Sequence, residues 1–437
     1  MTSTIYALSS GSVPSGVAVI RLSGPACADI LRDICGTVPE PRKATLRTIR
    51  DRNQRPVDQG LVLFFPGPHS FTGQDCAELQ VHGSRAVISH ILALLSDYAD
   101  TRAAEPGEFT RLAMESGKID LLEVEGLADL LSAETEMQRR LALEHAQGHL
   151  SALYAAWMGR VTHARAMIEA ELDFADEDDV PGSVSDRIWS DMESLVSEME
   201  DHLALARIGE IIRDGLKVVL LGQPNAGKSS LLNLLARRDV AIVTPIPGTT
   251  RDILAVDLDV EGFAVTLVDT AGLRDTTDVI EAEGIRRAIE AAESADILLH
   301  LQAPGDPDLQ IPQTADKRLI RVRTKIDLDS HAQRHRADVA ISTVNGEGVE
   351  QLLHLLLMDL REAQERNSLA IPSRIRHVSL LQETVQALRG ALKGPHTDLV
   401  LRAEYLRLAS HRLGRITGQV DTEGLLDIIF SSFCIGK

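Results

Sequence analysis

One eight-residue stretch restricts the fold more than any other part of the chain. Gly222-Gln-Pro-Asn-Ala-Gly-Lys-Ser229 fits GxxxxGKS; it directly follows the apolar run Leu216 to Leu221 and opens the helix-forming run Ser229 to Leu235. A strand, a glycine-rich loop and a helix in that order make the phosphate-binding unit of a nucleotide-binding α/β domain. Successive backbone N–H groups of such a loop point inward, and the helix N-terminus adds positive potential, so a polyphosphate is held by geometry that side chains alone would not supply. Contacts are expected from Asn225, Ala226, Gly227, Lys228, Ser229 and Ser230, with Lys228 reaching the β and γ phosphates and the Ser229 hydroxyl binding Mg²⁺. The apolar runs at 265–269, 297–301 and 319–327 alternate with helical patterns, which implies a doubly wound parallel sheet.

The motifs that follow narrow the nucleotide. Asp269-Thr270-Ala271-Gly272 ends an apolar run, where the acid can hold Mg²⁺ through water and Gly272 lets the backbone approach the γ phosphate. Between the two motifs lies Gly248-Thr-Thr-Arg-Asp252, and Thr250 is expected to supply a second hydroxyl to Mg²⁺. Thr324-Lys325-Ile-Asp327 stands at another strand end. The Asp327 carboxylate can accept from N1–H and the exocyclic amine of guanine, a pairing adenine lacks, and the Lys325 stem can cover the base. Thr324 occupies a position where most GTPases have Asn, and Ser342 can complete the base pocket. Leu273 stands where Ras-like proteins carry the water-orienting glutamine, so water must be activated differently. Asn225 either caps the loop or, with the stretch from Thr244 to Thr249, holds a cation in the place of an arginine finger.

The rest of the chain bounds the setting. Its 437 residues suggest roughly three domains. No apolar run nears the roughly 18 residues needed to span a bilayer, and no secretory pattern opens the chain, so a cytoplasmic protein with no membrane contact is expected. Cys27, Cys35, Cys76 and Cys434 are spread without metal-ligand spacing, which points to reduced thiols. The net charge of −19 is uneven: residues 118–216 hold 22 acidic against 8 basic residues, whereas residues 1–117 hold 12 against 11. Within that first segment Arg42, Lys43, Arg47, Arg50, Arg52 and Arg55 cluster, as a solvated edge or as a basic surface. Residues Ile5 to Leu22 and Val57 to Phe65 read as strands; helical spacing begins after Gly117, breaks at Asp173 to Gly182, resumes from about Ser185 to Ile212, and returns from Ser379 to the end. The terminal helices are too few for a core of their own, so they are expected to pack on those of 118–212, with the nucleotide domain inserted between.

The chain closes on Phe433-Cys434-Ile-Gly-Lys437, preceded by Leu425, Leu426, Ile429 and Phe430 at helical spacing, so this end should be docked. Together with TTRD, DTAGLR, VIRLSG, SFTGQD and PGEFTRLA, this terminus closely resembles the MnmE (TrmE) family over essentially the full length. The resemblance implies a multidomain α/β and α protein: an N-terminal α+β folate-binding-like and dimerisation domain at 1–117, an all-helical domain at 118–214 and 372–437, and an inserted P-loop α/β GTPase domain at 215–371. It implies a potassium-dependent GTPase that forms a homodimer and a heterotetramer with the FAD-binding partner MnmG (GidA). The pair would modify C5 of the wobble uridine of certain tRNAs to aminomethyl or carboxymethylaminomethyl groups, with GTP hydrolysis controlling G-domain dimerisation.

By the same resemblance Asn225, Thr244, Ile246 and Thr249 hold K⁺, and Glu281 helps orient the attacking water. GTP contacts extend to Thr244, Thr249, Thr250, Asp269, Thr270, Ala271, Gly272, Thr324, Lys325 and Asp327. Arg21, Glu78, Lys118 and Lys437 match positions that contact 5,10-methylenetetrahydrofolate, for which 5-formyltetrahydrofolate is an analogue; cations suit the folate carboxylates and a carboxylate the pterin N–H edge. Gln74 and Ser84 depart from the family's usual Glu and Gly. For Cys434 the resemblance favours a role in the modification chemistry, with Lys437 lowering its pKa; plain packing and a lipid-attachment box are the alternatives. A regulatory GTPase of ribosome assembly is the competing function.

Overall fold

The computed structural model describes residues 3–173, 183–237, 254–269, 293–306, 317–328, 337–394, 398–419 and 436. Described residues up to Ala128 and from Ser410 onward form one compact unit, and those from Asp129 to Ala409 a second.

The first unit is built on a six-stranded sheet in the order β3-β4-β5-β2-β1-β6. Its strands are β1 (Thr4–Leu8), β2 (Ser15–Ser23), β3 (Thr45–Arg50), β4 (Pro56–Phe65), β5 (Cys76–Gly83) and β6 (Thr101–Ala103). All neighbours are antiparallel except β1 and β6. In β2 the alternation sends Ala18, Ile20 and Leu22 to one face and Val19 and Arg21 to the other. The first face is covered by α1 (Cys27–Cys35) and α2 (Arg85–Ser96), whose Ile30, Leu31, Ile91 and Leu95 are buried in the same core as Val62 and Leu79. Ser84 caps α2, its hydroxyl accepting from the Val87 N–H at 3.2 Å. Two further helices, α3 (Glu108–Glu115) and α4 (Leu121–Ser132), follow. Phe109 of α3 is buried with Ile5 and Ala7 of β1. The strands expected near 5–22 and 57–65 are present, and α1, β3, β5 and α2 stand beside them without a counterpart among the expected elements.

The second unit contains α5 (Glu136–Ala146), α6 (His149–Asp173), α7 (Ser183–Ala204) and α8 (Ala206–Asp214), then β7 (Leu216–Leu221) and α9 (Lys228–Ala236). β8 (Leu254–Val260), β9 (Phe263–Asp269), β10 (Ile297–Gln302), β11 (Arg318–Arg323) and β12 (Val339–Ala340) follow, then α10 (Val349–Leu356), α11 (Arg361–Glu365) and α12 (Ile375–Lys393). A last helix, α13 (Leu399–Thr417), begins in this unit. The helix expected over 185–212 is interrupted at Leu205, whose N–H bonds the His202 carbonyl three residues back at 3.1 Å before α8 restarts.

The sheet order is β12-β11-β10-β7-β9-β8, parallel except for β8. The parallel sheet expected from the apolar runs is present and carries one antiparallel strand, β8, at its edge. Two residues, Glu261 (φ 52°) and Gly262 (φ 89°), join β8 to β9, and a two-residue loop with both φ positive closes an antiparallel hairpin only. The hairpin tip is gripped by helices: the Met137 N–H donates to the Gly262 carbonyl at 2.9 Å and Gln364 Nε2 to the Glu261 carbonyl at 3.1 Å. Beneath it Met137 and Leu141 of α5 and Ile212 of α8 share one apolar core with Leu258, Phe263, Val265 and Leu231. Elsewhere α7 packs on α6 and α12.

Candidate nucleotide site and N-terminal cation cluster

The nucleotide motifs lie at the carboxyl ends of the parallel strands, the edge where open α/β sheets bind ligands. β7 occupies the middle of the sheet, between β10 and β9, and its buried side chains, Leu216, Val218, Val219 and Leu220, are all apolar. Gly222 follows it with φ 151°, and a side chain there would come within 2.4 Å of the Leu301 carbonyl, so only glycine lets the loop leave the sheet this close to β10. Asn225 is left-handed (φ 67°) and exposed at the rim; Ala226 is buried beneath it. Gly227 stands as N-cap of α9, which begins at Lys228.

Lys228 is buried, with its Nζ donating to the carbonyls of Gly222 and Gln223 at 2.9 Å each, so the ammonium is folded back along the inner side of the loop. The Ser229 hydroxyl donates to Asp269 Oδ2 at 3.0 Å. Asp269 is fully buried at the end of β9, opposite Leu220 in the parallel register. A hydroxyl and a carboxylate oxygen in direct contact at a helix N-terminus are the hard-oxygen donor set that suits Mg²⁺. Ser230 is exposed on α9.

The loop after β11 is tied to the same place. Thr324, buried, donates its hydroxyl to the Ala226 carbonyl at 2.6 Å, and its N–H reaches the Gln302 carbonyl at 2.9 Å. The contact made at this position is therefore with the phosphate loop itself. Lys325 is left-handed (φ 55°), which turns the chain so that Asp327 sits in a short 3₁₀ turn. Asp327 Oδ1 accepts from the Ser342 hydroxyl at 2.7 Å, and Ser342 is fully buried just past β12. Ser342 thus braces the acid expected to read the base.

In the first unit Arg21 of β2 and Glu78 of β5 are direct cross-strand neighbours, and Arg21 donates through Nε and Nη2 to Glu78 Oε1 at 3.1 and 2.9 Å. The guanidinium lies 5.8 Å from the Phe109 ring centroid. Lys118 follows α3 and comes beside Gly73, its side chain bonded to neither Arg21 nor Glu78. The adjoining loop is pinned where the Ser116 hydroxyl donates to the Thr72 carbonyl at 2.8 Å; inside it Gln74 Oε1 is buried with no hydrogen-bond partner among the described residues. Near the chain's end, Gly436 is buried with its carbonyl accepting from Ser9 Oγ at 2.8 Å. Thr244, Ile246, Thr249, Thr250, Thr270, Ala271, Gly272, Glu281, Cys434 and Lys437 lie outside the described residues. Of the other thiols, burial pushes the Cys27 thiol well above its usual range and raises Cys35 to about 11, which suits inert packing.

A phosphate loop, a buried acid at its helix N-terminus and a braced TKxD turn on one sheet edge define a P-loop GTPase. The profile described as "MnmE helical domain" matches residues 121–434, and that described as "GTP-binding protein TrmE N-terminus" matches residues 4–118. The tRNA modification GTPase MnmE of Rhizobium meliloti (strain 1021) is 58% identical over 438 residues, covering 100% of this chain and 99% of that protein. Its counterpart in Brucella canis (strain ATCC 23365 / NCTC 10854 / RM-666) is 51% identical over 434 residues, covering 99% and 98%. A solved G domain of the T. maritima FeoB iron transporter is 26% identical and covers 33% of this chain and 97% of that one, with a TM-score of 0.25. The chain belongs to the MnmE (TrmE) family.

Proposed function

We propose that this chain binds and hydrolyses GTP with Mg²⁺, and that its nucleotide cycle serves tRNA modification at C5 of the wobble uridine, together with the FAD-binding partner MnmG. The observation that carries the nucleotide reading is the pair of bonds closing the phosphate loop onto its neighbours, Ser229 to Asp269 and Thr324 to Ala226. One sets the metal side, the other the base side. The Lys228 ammonium, now on two loop carbonyls, would turn from them to the β and γ phosphates of a bound nucleotide. Asp327, held by Ser342, presents its second oxygen for the guanine N–H edge. Thr250 would add the second metal hydroxyl.

Leu273 follows the DTAG motif in place of the water-orienting glutamine, so water must be oriented by another residue; the charge of the transition state also needs a cation, and the sequence assigns no arginine finger to supply it. Asn225, left-handed and exposed at the rim, is the described residue expected to hold K⁺, with Thr244, Ile246 and Thr249; Glu281 would orient water. For the carbon donor, Arg21, Glu78, Lys118 and Lys437 would bind 5,10-methylenetetrahydrofolate, and the partly exposed Arg21–Glu78 pair offers the cation and carboxylate that a folate requires. Division into domains at 1–117, 118–214 with 372–437, and 215–371, homodimerisation, the heterotetramer with MnmG, and a chemical role for Cys434 complete the reading and rest on family membership.

GTP turnover measured in KCl and in NaCl tests the hydrolytic part. Faster turnover in K⁺, lost in N225A, is expected; equal rates in the two salts overturn the potassium site. Mass spectrometry of tRNA from a C434S strain tests the modification part, with loss of the wobble modification expected.

A further inference from the structure

The basic run at 42–55 is left unused by the nucleotide and folate readings, and the structure turns it into a surface. β3 is the edge strand of the first unit's sheet, and the run continues from it through the turns on either side. Over residues 40–55 six cations face two acids, Glu40 and Asp51, in a chain of net charge −19. Their bonding differs from that of many arginines elsewhere, although Arg140 and Arg402 also donate to carbonyls. Arg21, Arg32, Arg102, Arg160 and Arg374 each hold a carboxylate. Here Lys43 alone does, pairing with Glu40 at 2.9 Å. Arg42 donates to the His69 carbonyl, and Arg52 to the Asp97 carbonyl while lying 5.3 Å from the Tyr98 ring centroid. Arg50 donates to the Gln54 carbonyl at 3.0 Å. Arg47 makes long contacts of 3.3 and 3.4 Å to the Leu46 carbonyl and Thr37 hydroxyl, and its buried Nε has no hydrogen-bond partner among the described residues. The exposed Arg55 side chain makes no hydrogen bond or ion pair among the described residues.

We propose that this edge, from Arg42 to Arg55, is the surface on which the protein holds the phosphate backbone of an RNA, a tRNA under the function proposed above, on which this inference rests. Protecting a sheet edge from pairing needs a charge or two on the strand. Here the charges extend past it on both sides, and five of six are guanidiniums, whose planar fork suits phosphate oxygens. Six strand residues span about 20 Å, enough for several successive phosphates. Apart from Lys43, whose charge meets Glu40, the hydrogen-bond partners are carbonyls and one hydroxyl, which fix the side chains without cancelling their charge, so the positive potential stays available to a polyanion.

The test is binding of an unmodified tRNA transcript to the full-length protein, followed by fluorescence anisotropy over a range of KCl. R47Q/R50Q/R55Q should bind at least about 10-fold more weakly at moderate salt and flatten the slope of log affinity against log salt by about 2 to 3. R55Q alone, at an exposed side chain with no hydrogen bond or ion pair among the described residues, should flatten it by about 1 and covers the case in which the triple variant folds poorly. R165Q/R389Q/R407Q removes equal charge elsewhere and should leave the slope unchanged. Equal affinity and slope in wild type and R47Q/R50Q/R55Q would overturn this surface while leaving a tRNA role intact; a wild type that binds no tRNA also overturns the surface, and the tRNA role is then decided by the mass spectrometry of tRNA described above. Unchanged tRNA binding with a shifted sedimentation coefficient would assign the edge to a protein partner and also overturn the proposal.

Discussion

At the scale of single residues, Thr324 and Ser342 decide how the base and phosphate halves of the site are joined. Thr324 reaches the Ala226 carbonyl because the loops are nearly in contact: a side chain on Gly227 would lie 3.6 Å from Thr324 Cβ. Replacing it with valine keeps the shape and strands a buried carbonyl, a loss of about 1–2 kcal/mol, so T324V should weaken GDP binding roughly 5- to 30-fold in a fluorescent-nucleotide titration. An asparagine there can also donate to that carbonyl, and T324N should restore affinity; equal affinity in wild type and T324V would show the bond contributes nothing. Ser342 acts one step further out. S342A frees the Asp327 carboxylate to rotate, and discrimination between guanine and adenine nucleotides should fall by about 1 kcal/mol, roughly fivefold, read as the ratio of the two affinities. The phosphate residues were legible because GxxxxGKS concentrates them in eight positions after a strand. Ser342 was barely so: it meets Asp327 across the β11–β12 pairing, fifteen positions away, and no spacing rule marks a serine in a loop.

At the scale of elements, legibility followed length and local period. The long helices and the apolar strands of the nucleotide sheet announce themselves over many residues. β3 hides because its buried Ile49 stands among exposed or half-exposed cations and threonines, and β8 because its acids Asp257 and Asp259 alternate with Leu258 and Val260 at the sheet edge. The docking of the chain's end was expected from the apolar helical pattern at Leu425, Leu426, Ile429 and Phe430, which lie outside the described residues; at the one residue described there, Gly436, the contact is a backbone fit. Gly436 has φ 102°, and a side chain there would lie 2.4 Å from the Leu8 carbonyl and 2.9 Å from Ser9 Cα. Two backbone atoms cannot give way as a flexible side chain can, so alanine must displace the Ser9–Gly436 contact. G436A should therefore release the C-terminus to carboxypeptidase digestion under conditions in which wild type resists it. Identical digestion of the two proteins would mean the fit holds the terminus only weakly.

At the scale of the whole molecule, the chain's two tryptophans make the helical part of the second unit observable apart from the rest. Trp157 stacks on Tyr154 with ring centroids 5.4 Å apart and meets His202 edge-on at 5.2 Å, while Trp189 lies beneath the Arg402 guanidinium at 3.4 Å. His202 is buried, shares a 3.1 Å hydrogen bond with the Tyr154 hydroxyl, and is held neutral: burial first, and the nearby His377 second, bring its pKa from 6.5 to about 4. Unfolded, this imidazole takes up a proton near 6.5; folded, only near 4. Between those values the unfolded chain binds the extra proton, so stability falls as pH drops through that window and is fully present above it. The shift corresponds to roughly 3 kcal/mol at its limit, a large share of what holds a domain together. Urea unfolding followed by tryptophan fluorescence should give a midpoint that drops between about pH 7 and pH 4.5. H202Q keeps a partner for Tyr154 and cannot be protonated there, so its midpoint should be lower at neutral pH and flatter across the acid range. Parallel curves for wild type and H202Q would place the acid sensitivity on other groups, such as the carboxylates of Glu108 and Glu198 that their arginine partners hold below the usual range.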